Sequence, residues 1–369
     1  MKLNSWFKPY INKSQYLKSY HQLLKDNSIT MSSQTKKLEH LLQKILNVKY
    51  VVLTNSGTTA ITSAILALSK KKKLKVICTN LTWIATINSS ILLDHDIYIC
   101  DTLPKSEKVD FDKLNSLINN VMPDLVFLVH LNGQPTYNED FHKLKNKYGF
   151  NVIEDAAQSL FVEYKKNIFC GTRYDIGCFS LGITKLFHSV YGGFCTTNSL
   201  NVYKKLLAIR NNGVEVHTKK SYLQLSSHIG LNFKISDIHA QIGLISIANR
   251  KNIILKAKKI YSVYFKKINN PLIEFVKIED ELSIPMYPQI IVKNRNHFLK
   301  YFEKKLSFHT GLRAISDSYP KLKKQGNFTN SIYMSKNLIR LPSGPGYSLE
   351  AIHKICKLIN SYQYINVQK

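Results

Sequence analysis

The stretch 50-YVVLTNSGTTAITSAILAL-68 decides how this chain is to be read. Its opening, YVVLT, is a short apolar run of the kind that forms a strand buried on both faces. From Thr58 to Leu68 the pattern is helical, and Ser56-Gly57 punctuates the change. The unit then recurs. KVICT (75–79) precedes a helical segment at 84–93, IYICD (97–101) one near 111–119, and LVFLVH (125–130) one near 139–148, before NVIED (151–155). Strand alternating with helix implies an α/β fold, a mostly parallel central sheet between helices.

Further along, a helical pattern starts near Ser236, carries Ile238, Ile242, Ile245 and Ile247, and continues unbroken towards Phe265. IEFVKI (273–278), QIIVK (289–293) and SLEAIHKICKLIN (348–360) then imply a compact α+β unit. The expected organisation is a large α/β domain with an N-terminal arm over 1–249 and a small C-terminal α+β domain over 250–369.

A hydrophobic fraction of 44% and a charged fraction of 21% are those of a globular protein, not a disordered one. The net charge of +28 reflects 24 acids as much as 52 bases. Runs such as 70-KKKK-73 and 251-KNIILKAKK-259 read as solvated basic faces, or as attraction to a polyanion: an anionic membrane, nucleic acid or a diphosphate-bearing substrate. No nucleic-acid module is recognisable, so no specific nucleic-acid partner is expected. The six cysteines show no CxxC and no metal-ligand spacing; buried free thiols in a reducing compartment are expected, and no metal site. The N-terminus lacks the apolar core of a secretory signal, and the uncharged stretch 76–93 is too rich in Thr, Asn and Ser to span a bilayer. These features point to a cytoplasmic protein without integral membrane association.

In open α/β sheets ligands bind beyond the carboxyl ends of the strands. After the first strand, 54-TNSGTTA-60 offers Gly57 for close backbone approach, the Thr58 hydroxyl, and the N–H groups of a helix start; it is a phosphate cradle in outline, or a simple helix cap. Trp83 follows the second strand, where an indole could stack on a flat ring or pack in the core. Asp155, with Gln158 close behind, ends the fifth strand and could face a cationic ring nitrogen, or start a helix. Lys185 sits in the apolar and small-residue stretch 176-IGCFSLGITKLFHSVYGGF-194, where partial desolvation would make its amine a nucleophile for a carbonyl. Cradle, ring stacker, carboxylate and lysine, in that order, are what a pyridoxal phosphate site requires.

SGTTA (56–60), TWIAT (82–86), VHLNGQP (129–135), EDAAQS (154–159), Ser180 before Lys185 with Gly192-Gly193 following, RNNG (210–213) and GLNFKISDIHAQIG (230–243) together resemble the DegT/StrS-type sugar aminotransferases, fold-type I pyridoxal phosphate enzymes. The resemblance runs from roughly residue 30 to 345. It implies that Lys185 holds pyridoxal 5'-phosphate as a Schiff base and then moves the substrate proton. It also implies that Asp155 pairs with the ring nitrogen, Gln158 contacts the ring hydroxyl side and Trp83 stacks on the ring. Gly57, Thr58 and Ser180 would hold the phosphate, with Asn232 reaching it from the other subunit of a homodimer with shared active sites. The implied reaction moves an amine from glutamate to a nucleotide-linked ketosugar.

Family members commonly carry a His-Pro-Thr-like triplet before the lysine, a Gly-Glu pair before the double glycine and RNHG. This chain has Gly182-Ile183-Thr184, Val190-Tyr191 and RNNG with Asn212. These departures border the expected sugar pocket and bear on the sugar more than on the reaction. Competing readings are a sugar dehydratase of the same fold, in which histidine typically replaces the lysine, a degenerate relative that has kept Lys185 without turnover, and a basic polyanion-binding protein.

Overall fold

The computed structural model describes residues 5–363 except 28, 216–223, 226–227, 279, 318, 320–321 and 324–325. Its central sheet contains β1 (Tyr50–Thr54), β2 (Lys75–Thr79), β3 (Asp96–Cys100), β4 (Leu125–Val129) and β5 (Asn151–Asp155). After a hairpin of β6 (Glu163–Lys165) and β7 (Ile168–Phe169), β8 (Ile176–Ser180) and β9 (Gly193–Thr197) complete it, in the order β1-β9-β8-β5-β4-β2-β3. The pairs β2–β3, β2–β4, β4–β5 and β5–β8 are parallel, whereas β9 runs antiparallel to both β8 and β1. β1 therefore points the same way as the other parallel strands. Their carboxyl ends, Thr54, Thr79, Val129, Asp155 and Ser180, emerge along one edge.

Helices cover both faces because successive strand residues point to opposite sides. In β1, Val52 packs with α3 (Gly57–Leu68) through Ala64 and Ile65, whereas Val51 and Leu53 belong with Leu38 and Leu42 of α2 (Ser33–Leu46). Burial of such side chains stabilises by about 1.5–3 kcal/mol each. Besides α2 and α3, the α-helices described before residue 230 are α1 (Lys13–Lys25), α4 (Ala85–Leu92), α5 (Phe111–Val121), α6 (Glu139–Tyr148) and α7 (Leu200–Arg210).

The continuous helix expected from Ser236 towards Phe265 is instead two, α8 (Asp237–Ala248) and α9 (Arg250–Lys267). Asn249 is the joint. Its backbone N–H and its side-chain amide both donate to the Ile245 carbonyl, at 3.3 and 2.8 Å, and its ψ of 10° leaves the helical region. This side-chain competition with the helix ladder is invisible to apolar periodicity. At the other end of α8, Asp237 accepts from the N–H groups of Ser32, Gln34 and Thr35 and from the Thr35 hydroxyl, at 2.7–2.9 Å. The ISD part of the 230–243 motif thus pins the start of α2. Burial would raise the Asp237 pKa, but these bonds outweigh it and hold the carboxyl low.

Past α9, the strands Glu274–Phe275, Gln289–Ile291 and Leu338–Arg340 form an antiparallel sheet, with its own apolar cluster around Ile290, Phe298, Phe302, Ile352 and Ile355. The N-terminal segment is laced onto this part: Lys8 donates its N–H to the Ser343 carbonyl (2.8 Å), and Gly346 to that of Lys8 (2.9 Å). All six cysteines are buried and free, as expected. Among the described residues no helix is long and apolar enough to cross a membrane, and no cluster of potential metal ligands occurs.

Candidate active site

At the carboxyl edge of the sheet lies a cavity of about 230 Å³, and Gly57, Thr58, Trp83, Asp155, Gln158, Ser180 and Lys185 all line it. Residues separated by as many as 128 positions in the chain meet there because β1, β2, β4, β5 and β8 all end along one edge of the sheet.

One wall is the start of α3. Ser56 caps the helix, accepting the Thr59 N–H at 3.1 Å while Thr59 returns a bond to the Ser56 N–H; the ladder then begins with Ala60 donating to the Ser56 carbonyl. Gly57 and Thr58 supply the first-turn donors that this cap does not use, at the positive end of the helix dipole. Ser180, ending β8, presses against Gly57. A β-carbon at 57 would lie 2.8 Å from the Ser180 β-carbon, so the close approach requires glycine. The segment is a helix cap whose first-turn residues Gly57 and Thr58 also line the cavity.

Asp155 is only 5% exposed, yet both carboxylate oxygens are engaged: Thr86 Oγ1 donates to Oδ2 at 2.6 Å and the Ala157 N–H to Oδ1 at 3.1 Å. Thr86 is itself bonded to Thr82 at 2.9 Å, so the TWIAT segment holds the carboxylate's orientation as well as presenting Trp83. Trp83 is 55% exposed, which rules out a core-packing role. Its ring is available to a ligand.

Lys185 is partly buried, and its pKa is lowered to about 8. Burial is the main cause; the Asp155 charge opposes it, and the Arg340 guanidinium adds to it. The lysine turn is held from several directions. The Lys185 N–H donates to the Gly182 carbonyl (2.9 Å), the Tyr287 hydroxyl donates to the Thr184 carbonyl (2.9 Å), and His188 Nε2 donates to the Tyr10 carbonyl (2.8 Å). Val190 adopts φ +69°, costly for a β-branched side chain, at the position where the resembling enzymes carry glycine.

Gln158 accepts the Asn132 N–H on its Oε1 (3.0 Å), which leaves its amide nitrogen as a donor. Asn132 also ties down Tyr287, accepting its N–H at 2.7 Å and donating to its carbonyl at 2.9 Å. The VHLNGQP motif is therefore a latch between the site and the 284–287 segment. Gly133 sits at φ +70°, where a β-carbon would lie 1.8 Å from the Ile284 carbonyl oxygen. Gly133→Ala is accordingly expected to destabilise the fold by about 3–5 kcal/mol, measured by urea unfolding; a loss below ~1 kcal/mol would refute the latch.

Asn232 is not on the cavity wall of its own chain. It is exposed, bridged to Asn211, with its carbonyl accepting the Asn55 amide at 3.5 Å. Asn212 occupies a left-handed turn at φ +57° and is also absent from the wall. Glu154, beside Asp155, is structural. It receives the N–H groups of Gly171, Arg173 and Tyr174 at 2.9 Å each, together with His130 Nε2 and the Tyr164 hydroxyl. Burial raises its pKa, but these donors prevail and keep it low.

Sequence reading gave no role to Thr86, Tyr191, Tyr287 or Arg340. Thr86 lay inside a quoted motif and Tyr191 among the departures; Tyr287 and Arg340 had no local signal. Arg340 is 3% exposed, stacks on the Tyr287 ring with 4.6 Å to its centroid, and pairs with buried Glu107 at 3.1 Å.

A helix start whose close approach to Ser180 requires glycine, an exposed indole, an anchored carboxylate and an amine of lowered basicity share one cavity. That donor set fits pyridoxal phosphate: N–H and hydroxyl groups for its phosphate, a carboxylate for its ring nitrogen and a lysine for its carbonyl.

The sequence model of the DegT/DnrJ/EryC1/StrS aminotransferase family matches residues 11–360. GDP-perosamine synthase of Escherichia coli O157:H7 is 26% identical over 88% of this chain and 89% of its own. Among solved structures, Helicobacter pylori PseC, described as an aminotransferase involved in the biosynthesis of pseudoaminic acid, superimposes with a TM-score of 0.88 at 19% identity, covering 97% of this chain and 98% of its own. The E. coli GDP-4-keto-6-deoxy-D-mannose-3-dehydratase, with bound hydrated PLP, gives 0.86 at 18% identity, over 97% and 100%.

Proposed function

Because the chain belongs to the DegT/DnrJ/EryC1/StrS aminotransferase family, we propose that it transfers an amino group from glutamate to the ketone of a nucleotide-linked sugar, releasing 2-oxoglutarate and an amino sugar for glycan building. The observation that carries this reading is Lys185, a partly buried amine of lowered basicity in one cavity with Asp155. Pyridoxal phosphate bound here supplies an aldehyde that takes up an amine and a cationic ring that draws off electrons.

The chain's own residues supply the rest. Gly57 and Thr58 N–H groups and the hydroxyls of Thr58 and Ser180 bind the phosphate, and Trp83 covers the ring. Asp155, fixed by Thr86 and the Ala157 N–H, keeps the ring nitrogen protonated. At about 4 Å and an effective dielectric constant near 20, that contact is worth roughly 4 kcal/mol before desolvation. The Lys185 amine, with a pKa of about 8, accepts the proton from the substrate carbon and returns it on the other side of the transfer. Gln158, oriented by Asn132, offers its amide to the ring hydroxyl side.

A homodimer with shared sites belongs to the same proposal. Exposure of Asn232 away from its own cavity supports it, as do exposed Tyr191, Ile229 and Leu231. A cytoplasmic location and the division of the chain at 249/250 are further parts of the proposal, the division supported by the break at Asn249. The dehydratase alternative, raised by structural neighbours that are sugar 3-dehydratases, is disfavoured by lysine at 185.

The test is incubation of the cofactor-loaded protein with glutamate and a panel of GDP-, UDP- and dTDP-linked 4-ketosugars. 2-Oxoglutarate and amino sugar should appear in equal amounts for at least one member. Loss of a sugar hydroxyl without amine uptake would establish dehydration instead.

A further inference from the structure

The basic run at 251–259 lies on α9 and has no part in the site. The core side of this helix is Ile253, Ala257, Ile260 and Tyr264, all buried. Counting 100° per residue, the opposite side is centred on Leu255 and carries Lys251, Lys258, Lys259, Phe265 and Lys266, all exposed. α9 contains no aspartate or glutamate.

Two features separate this face from an ordinary solvated helix. Leu255 is 66% exposed at the middle of the lysines, and Phe265 is 45% exposed at their edge. Phe265 is also held in place. Its ring stacks with Tyr261 (centroids 6.4 Å, planes within 4°) and meets Phe275 edge-on at 5.7 Å, so it is ordered before any partner arrives. Bordering acids are few: Asp280 and Glu281 lie in the loop whose Glu281 main-chain carbonyl accepts Lys258 at 3.2 Å, and Glu274 is paired with Lys105 at 2.8 Å.

We propose that the outward face of α9 docks this protein on an anionic lipid surface, its lysines among the headgroups and Leu255 and Phe265 at the acyl boundary. Charge complementarity selects a polyanion, and the exposed apolar pair favours lipid over nucleic acid, because a phosphodiester backbone offers nothing to a leucine. The association is peripheral, consistent with the lack of a spanning helix among the described residues.

The experiment is flotation of the full-length, cofactor-loaded protein with phosphatidylcholine vesicles, with or without phosphatidylserine, at physiological salt. Binding should require phosphatidylserine. Lys251, Lys258, Lys259 and Lys266 changed together to Gln should weaken it by about five-fold per lysine, and Leu255→Ser with Phe265→Ser should weaken it with all charges retained. A matched variant of Lys70, Lys71, Lys72 and Lys73 to Gln removes the same charge from a loop already paired with Asp124 and Asp96, and should bind as the wild type does. Retention of the cofactor's visible absorption confirms that each variant is folded. Equal loss in both lysine variants would reduce the effect to diffuse net charge and overturn the proposal. So would absence of wild-type binding, or α9-dependent capture of polyuridylate without vesicle binding.

Discussion

Lys185→Ala is expected to lower amino transfer by about 10⁴-fold or more, since the proposed amine both takes up the cofactor carbonyl and shuttles the proton, and proton transfer alone contributes 10²–10⁴. Formation of 2-oxoglutarate from glutamate measures it. The spectrum gives a second readout: the wild type should be yellow and bleach with glutamate, and the variant should bind cofactor without that response. Turnover within about ten-fold of wild type would remove Lys185 from the chemistry. The fold should survive, because alanine relieves a desolvated cation. The sign follows from linkage. The pKa is about 8 in the folded chain against the 10.5 of an ordinary lysine, so between those values the unfolded state binds more protons. Wild-type stability therefore gains from this group as pH rises from about 8 to 10.5, by less than roughly 3 kcal/mol given partial exposure, and the variant should lack that gain. Reactivity of the unliganded protein's Lys185 towards acylating reagents should climb with pH and level off above about 8.

Asp155→Asn should retain the cofactor and lose about 10³-fold in kcat, the equivalent of the ~4 kcal/mol Coulomb contact that a neutral amide cannot make. The substitution is structurally mild. An asparagine carbonyl can still accept the Ala157 N–H, and Thr86 can turn its hydroxyl to accept from the new amide while remaining beside Thr82. Loss of rate with unchanged thermal unfolding is the expected combination. Wild-type turnover would make Asp155 only a structural acid of the kind that Glu154 is.

What could be read from the sequence was whatever a local pattern encodes. β1, β2, β4 and β5 are short apolar runs, and α3 begins at a capped glycine, so the parallel sheet and the residues after its strands were legible. Trp83, Asp155, Gln158 and Lys185 followed from position at strand ends combined with family motifs. The reversal of β9, whose GFCTT has no directional signature, was not legible, and neither was the joint at Asn249, where a side-chain bond ends a helix that apolar spacing would continue. Tyr287 and Arg340 escaped for a different reason. Each acts on the Lys185 turn from about a hundred residues or more away (103 positions for the Tyr287–Thr184 bond), and only tertiary packing records that.

The lacing of Lys8 to Ser343 and Gly346 also orders events in time during synthesis. A ribosome adding about 5–20 residues per second finishes the seat for the N-terminal segment roughly 17–70 s after that segment emerges. Until then the segment before Tyr10, whose carbonyl receives His188 beside the lysine turn, lacks the backbone hydrogen bonds that fix Lys8. A nascent chain therefore completes its central sheet well before the turn that carries Lys185 is fully braced, and a product truncated before residue 343 would carry the pocket without the strap that steadies it.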